Sequence, residues 1–173
     1  GFSRASLGTT YSYSSRFNPI METDIATLVL QLLAVGPDQE SAHLSELSAR
    51  LDARKLTLLD FVQALGPHLT SDADLIRARS IALLGSTVAQ TKSCVSRHDV
   101  GVLLPFLISQ MADKAVVASA LSLLTVIVKL SVFNATTHGP QLLLALKDKY
   151  SPLKHLAKVR FEAFELMEAL FPK

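Results

Sequence analysis

Glu40 and His43 stand three residues apart, the spacing of one half of a di-iron carboxylate site. The other half needs a second Glu-x-x-His and two facing carboxylates, and none of Glu162, Glu165 and Glu168 has a histidine at that offset. A solvated helix face is the expectation there. Cys94 and His98 could both ligate zinc, but two ligands do not complete a tetrahedral site. The lone cysteine reads as a small core residue. His43, His68, His98, His138 and His155 are scattered, each without an acid and a nucleophile nearby in sequence. No Gly-x-Ser-x-Gly elbow, P-loop or dinucleotide glycine fingerprint occurs. No catalytic, cofactor-binding or metal-ligating residue is therefore assigned, no cofactor is expected, and the chain is expected not to be an enzyme.

One charge cluster stands out. Lys147, Lys149, Lys154 and Lys158, with His155 among them, are offset only by Asp148 before Glu162. They are the candidate partner-binding residues, suited to an acidic protein surface. Apart from Tyr150 they are not interleaved with aromatic rings on which bases stack, so direct nucleic-acid binding is not expected. A formal net charge of +2 over 173 residues points the same way.

The elements that must position these residues are helices. From Ile76, apolar side chains recur at Ile81, Leu84 and Val88; from Val116 at Leu121, Leu124 and Val128; from Val159 at Phe164, Met167 and Phe171. Spacings of five, eight and twelve return to nearly one face of an α-helix. The three ladders lie about forty residues apart, the period of HEAT and armadillo repeats. The expected fold is an all-α, right-handed superhelical solenoid of about four antiparallel helix pairs, presenting a curved surface to protein partners.

Composition agrees with this. Apolar residues make up 49%, aromatics 6%, and there is no Trp, so the core is built from Leu, Val, Ile and Ala, as in packed helices. A single cysteine excludes an internal disulfide and fits a reducing compartment. The longest apolar runs fall short of the ~20 residues of a membrane span.

Residues 1–20 contain Arg4, Arg16, many Ser and Thr, and no acid. That matches a transit peptide in form, but a disordered extension or gene-model artefact is the expectation. Residues 21–173 form the repeat domain. The run from Ile25 to Leu33 and a second one carrying Leu44, Leu47 and Leu51 are expected as short, polar capping helices. Leu56 to Leu69 follows, with Gly66-Pro67 as kink or terminator. The loop 70–74 is expected to supply N-cap oxygens for a helix over 75–90. Helices over 99–111, with Pro105 inside, and 115–130, capped by Asp113, come next. Residues 133–140 are expected as the longest loop, because of Asn134 and Gly139-Pro140. Leu142, Leu143, Leu146 and Tyr150 mark a helix broken at Ser151-Pro152, and 156–170 forms the last. Its apolar ladder runs to the final residues without a polar capping helix, so the domain is expected to be the N-terminal fragment of a longer array.

The block Leu58 to Ala89 resembles the N-terminal repeat of one HEAT family. The phrase Val62-Gln63-Ala64-Leu65-Gly66, the Leu69-Thr70 step, the Asp72/Asp74 loop and Ile76-Arg77-Ala78 carry the likeness. That family is the large adaptor of cytosolic iron–sulfur protein assembly, named for methyl methanesulfonate sensitivity and linked to nucleotide excision repair and transcription. The resemblance implies a non-catalytic cytoplasmic and nuclear scaffold. Its implied partners are iron–sulfur assembly components and apo iron–sulfur clients such as DNA-repair helicases and polymerases. Membrane and small-molecule partners are not expected. Pro67 and the first twenty residues depart from the family pattern. A generic HEAT scaffold for transport or phosphatase assembly is the alternative, and a helical-bundle enzyme or ligand carrier with a closed pocket is the second alternative. Likeness to HEAT arrays also suggests that Asp72, Asp74, Arg77 and Arg160 form a charge ladder between consecutive repeats, broken where Val117 takes the Arg position.

Overall fold

A computed structural model describes residues 19–35, 37–149 and 156–171. Among them the chain forms eight α-helices, one 3-10 turn and no strand. The expectations for residues 1–18, Tyr150 and Ser151-Pro152 lie outside the described residues.

The first helix, α1 (Pro19–Ala34), starts with proline, whose fixed φ and missing N–H suit a first helical position. It begins before Met21, so Pro19 and Ile20 belong to the helical part. The second, α2 (Pro37–Asp52), starts the same way. Each runs for 16 residues, so neither is the short cap expected. Their apolar residues Ile25, Leu28, Val29, Leu32, Leu44, Leu47 and Leu51 are all buried.

The end of α2 is a Schellman motif. Lys55 N–H donates to Arg50 O and Arg54 N–H to Leu51 O, both at 3.0 Å. Arg54 takes the left-handed position at φ 54°, where glycine is usual. Next, α3 (Leu58–Leu69) opens with a capping box in which the Thr57 hydroxyl accepts from Asp60 N–H and the Asp60 carboxylate accepts from Thr57 N–H. Such a cap stabilises by about 1 kcal/mol. The helix continues two residues past Pro67, which is therefore no terminator.

Helix α4 (Asp74–Gln90) has Ala73 at its N-cap and no side-chain cap, contrary to the expected oxygens of the 70–74 loop. The 3-10 turn Lys92–Cys94 follows, and a second capping box, Ser96 with Asp99, starts α5 (Arg97–Gln110), which contains Pro105. Asp113 Oδ1 accepts from Ala115 N–H at 2.9 Å, but this bond lies within the turn before α6 (Val117–Val128), whose N-cap is Val116 without a side-chain bond, so Asp113 shapes the turn and is not the cap expected.

The clearest correction is at α7 (Ala135–Lys149), which begins inside the expected loop 133–140. Asn134 is an N-cap there: its Oδ1 accepts from the N–H groups of Thr136 and Thr137 at 3.0 and 3.2 Å. Pro140 forfeits only a bond to the first turn, where Thr136 is exposed to water. Helix α8 (Ala157–Leu170) is the last.

Consecutive helices pack as α1 on α2, α3 on α4, α5 on α6 and α7 on α8, while α6 lies between α4 and α8 and makes its most extensive contacts with them. Two of the three apolar ladders put three rungs each into the core. Ile81, Leu84 and Val88 are wholly buried, as are Val116, Leu121 and Leu124, while Ile76 is 40% exposed and Val128 half-buried; each such leucine contributes about 1.5–3 kcal/mol. The third ladder departs from expectation. Val159 is buried, but Phe164, Met167 and Phe171 are exposed, and α8 instead buries Val159, Ala163 and Leu166. Small Ala163 admits a close approach to the preceding elements, and nothing described lies over the phenylalanines. Four buried hydroxyls, Ser80, Thr87, Thr91 and Thr125, donate to the carbonyl four residues back, so none is left unpaired.

Candidate partner-binding surfaces

Arg77, in the first turn of α4, is the centre of a charge node joining two helix pairs. Its Nε donates to Asp113 Oδ2 at 2.9 Å, and its Nη1 to the carbonyls of Ser71 and Asp72 at 2.8 and 3.1 Å. Its Nη2 lies 2.7 Å from Asp74 and 2.8 Å from Asp113. The rigid fork of a guanidinium suits this convergence of acceptors. Asp113 is held below the usual carboxylate range, first by the Ala115 N–H and then by Arg77, against the effect of partial burial. Asp72 takes part through its backbone, not its carboxylate. Sequence reasoning placed Arg77 and Asp74 in such a ladder but read Asp113 only as a cap.

Other ties join the pairs. Arg79 Nη2 donates to the carbonyls of Leu32 and Val35, satisfying the C-terminal end of α1. Ser48 Oγ donates to Gln90 Oε1 at 2.9 Å. A polar residue one helical position from the core is the only sequence signal these carried.

Among the described residues, cavities lie between the elements at two places of note. One, of about 380 Å³, is floored by small side chains of α4 and α6, including Ala82, Gly85, Ser86, Ser119 and Ser122, and edged by Lys158 and Glu162 of α8. The other, of about 700 Å³, gathers Asp52, Arg54, Cys94, His98 and Asp99. A cysteine, a histidine and acids in one cavity suggest nucleophilic chemistry, but the thiol is tuned the wrong way. Cys94 Sγ donates to Asp52 Oδ1 at 3.0 Å, and that bond, followed by burial, raises its pKa. A nucleophilic cysteine needs the opposite shift. Asp99 is spent on the Ser96 cap. Among the described residues no three His, Cys, Asp or Glu side chains could hold a metal ion. No described helix is long and apolar enough to cross a membrane.

The lysine cluster is only partly described. Lys147 is exposed near the end of α7, and Lys158 is exposed in the first turn of α8, edging the smaller cavity beside Glu162. Lys149 ends α7, its side chain outside the described ones, and Lys154 lies outside the described residues. Glu40 likewise has no described side chain, and His43 is half-buried on α2.

No curated protein and no solved structure matches the chain. The N-terminal MMS19 family, described as "Dos2-interacting transcription regulator of RNA-Pol-II", matches residues 62–173. That stretch covers more than half of the sequence and includes the node at Arg77 and Asp113, so the chain belongs to this family.

Proposed function

We propose that the chain is a non-catalytic adaptor whose helix pairs stack in a HEAT-type superhelical row, and that it helps deliver iron–sulfur clusters to cytosolic and nuclear apo-proteins. The family match over residues 62–173 carries this reading. The packing supports it: α4, α6 and α8 follow one another, and Arg77 is tied to the turn of the next pair. A row of this kind works by shape and contact, offering a continuous face to a partner. The cluster is cargo here, carried between partner proteins.

A second reading takes the family description at its word, as contact with a Dos2-like protein in RNA polymerase II transcription. Affinity capture of the full-length protein from cells, followed by mass spectrometry, separates the two. Recovery of late cluster-assembly components with iron–sulfur enzymes is the expected result. Recovery of transcription factors without any cluster-assembly component overturns the first reading in favour of the second.

A further inference from the structure

The cavity of about 700 Å³ at the end of α2 has one charged side chain at its wall that the fold leaves unused. Its two acids are engaged: Asp52 accepts from Cys94 Sγ at 3.0 Å, and Asp99 accepts from Ser96 N–H and Oγ, both at 2.7 Å. Thr57 is held in the capping box of α3. Arg54 and His98 are exposed, and neither side chain has a hydrogen bond or ion pair among the described residues. Arg54 also stands at φ 54°, a left-handed conformation that glycine takes without cost. A large side chain on such a backbone points to work done by that side chain, since strain of this kind gathers at ligand clamps. Much of the remaining wall is apolar: Leu56, Leu58 and Val95 are buried and Leu59 is half-buried. A guanidinium fork beside an apolar hollow of this size matches a carboxylate and a bulky apolar side chain together. A bare phosphate would leave the leucines uncovered.

We propose that this cavity docks a segment of a partner polypeptide. A bulky apolar side chain of the segment sits against Leu56, Leu58 and Val95, and a neighbouring aspartate or glutamate pairs with Arg54, with His98 as a further hydrogen-bonding group. The occupant is acidic because Arg54 is the charged group of the cavity left without a partner. The chemistry of the cavity does not depend on what the adaptor carries.

Selection of a phage-displayed library of random peptides on the 173-residue chain tests it. Enriched sequences are expected to set a large apolar residue beside an aspartate or glutamate. Synthetic peptides of those sequences, capped at both ends, should slow the reaction of a disulfide reagent with Cys94 several-fold, because the chain's single cysteine lines the same cavity. Arg54→Gly should weaken their binding by about 10–100-fold, the loss of a charged hydrogen-bonded pair, while its melting midpoint stays at or above that of the parent. Arg54→Asn, which also tolerates a left-handed backbone, should lose binding to the same extent. Enriched peptides without an acid, undiminished binding by both Arg54 variants, or an unchanged Cys94 rate with peptide bound overturns the proposal. A library from which nothing is enriched overturns it as well.

Discussion

Arg77 of α4 and Asp113 of the turn before α6 are joined by a 2.9 Å hydrogen bond from Nε to Oδ2, and the same guanidinium holds Asp74 and two backbone carbonyls of its own turn. One side chain thus fixes both a helix start and the distance to the next helix pair.

Because lysine offers one point charge where arginine offers a planar fork, Arg77→Lys is not a conservative change. It is expected to lower the melting midpoint by nearly as much as Arg77→Ala, several degrees in each case. Thermal unfolding followed by circular dichroism checks this; full retention of the midpoint by the lysine variant counts against the node.

The Asp113 carboxyl titrates below its ordinary value in the folded chain. Its contribution is therefore complete above about pH 4, the unfolded value, and is lost as the pH falls from there through the depressed folded value. Asp113→Asn is expected to be less stable than the parent at neutral pH, with the gap closing as acid is added. Urea midpoints between neutral and strongly acid pH give the comparison, and a gap that widens in acid has the wrong sign.

Arg54 holds a left-handed conformation at φ 54°, which costs a residue with a side chain roughly 1 kcal/mol. Arg54→Gly should stabilise by about 0.5–1 kcal/mol, with no other contact changed. Denaturant unfolding of the two chains measures it; a destabilised glycine variant would mean that the Arg54 side chain contributes more than its backbone costs.

Leu121 and Phe164 hold the same rung of two ladders, one fully buried and one 56% exposed. Leu121→Ala is expected to cost about 2–5 kcal/mol, and Phe164→Ala within about 0.5 kcal/mol of nothing. Equal losses in urea titrations would place Phe164 in the core.

The helices were legible in the sequence because the apolar period survives at every element from Ile25 to Leu170. The middle rungs of the two inner ladders, Ile81 and Leu121 among them, are buried, whereas Ile76 is 40% exposed and Val128 half-buried; Phe164 has the same spacing as Ile81, but spacing does not say whether a neighbour arrives. Asn134 was misread because an N-cap and a loop start with the same residue types, and Gly139-Pro140 argued for the loop. Arg79 was invisible because it satisfies carbonyls of α1 that only the fold brings near, and the Schellman turn because it places Arg54 where glycine is the usual signal. In the Arg77 node, Asp74 was readable from its short spacing, whereas Asp113 needed the packing of α4 on α6.

Incorporation of radioactive iron into a nuclear cluster-containing helicase, measured in cells depleted of this protein, tests delivery most directly. The adaptor account predicts that incorporation falls, that a mitochondrial cluster enzyme keeps its label, and that re-expressing the full-length protein restores the helicase. Undiminished labelling of the helicase after depletion would contradict it.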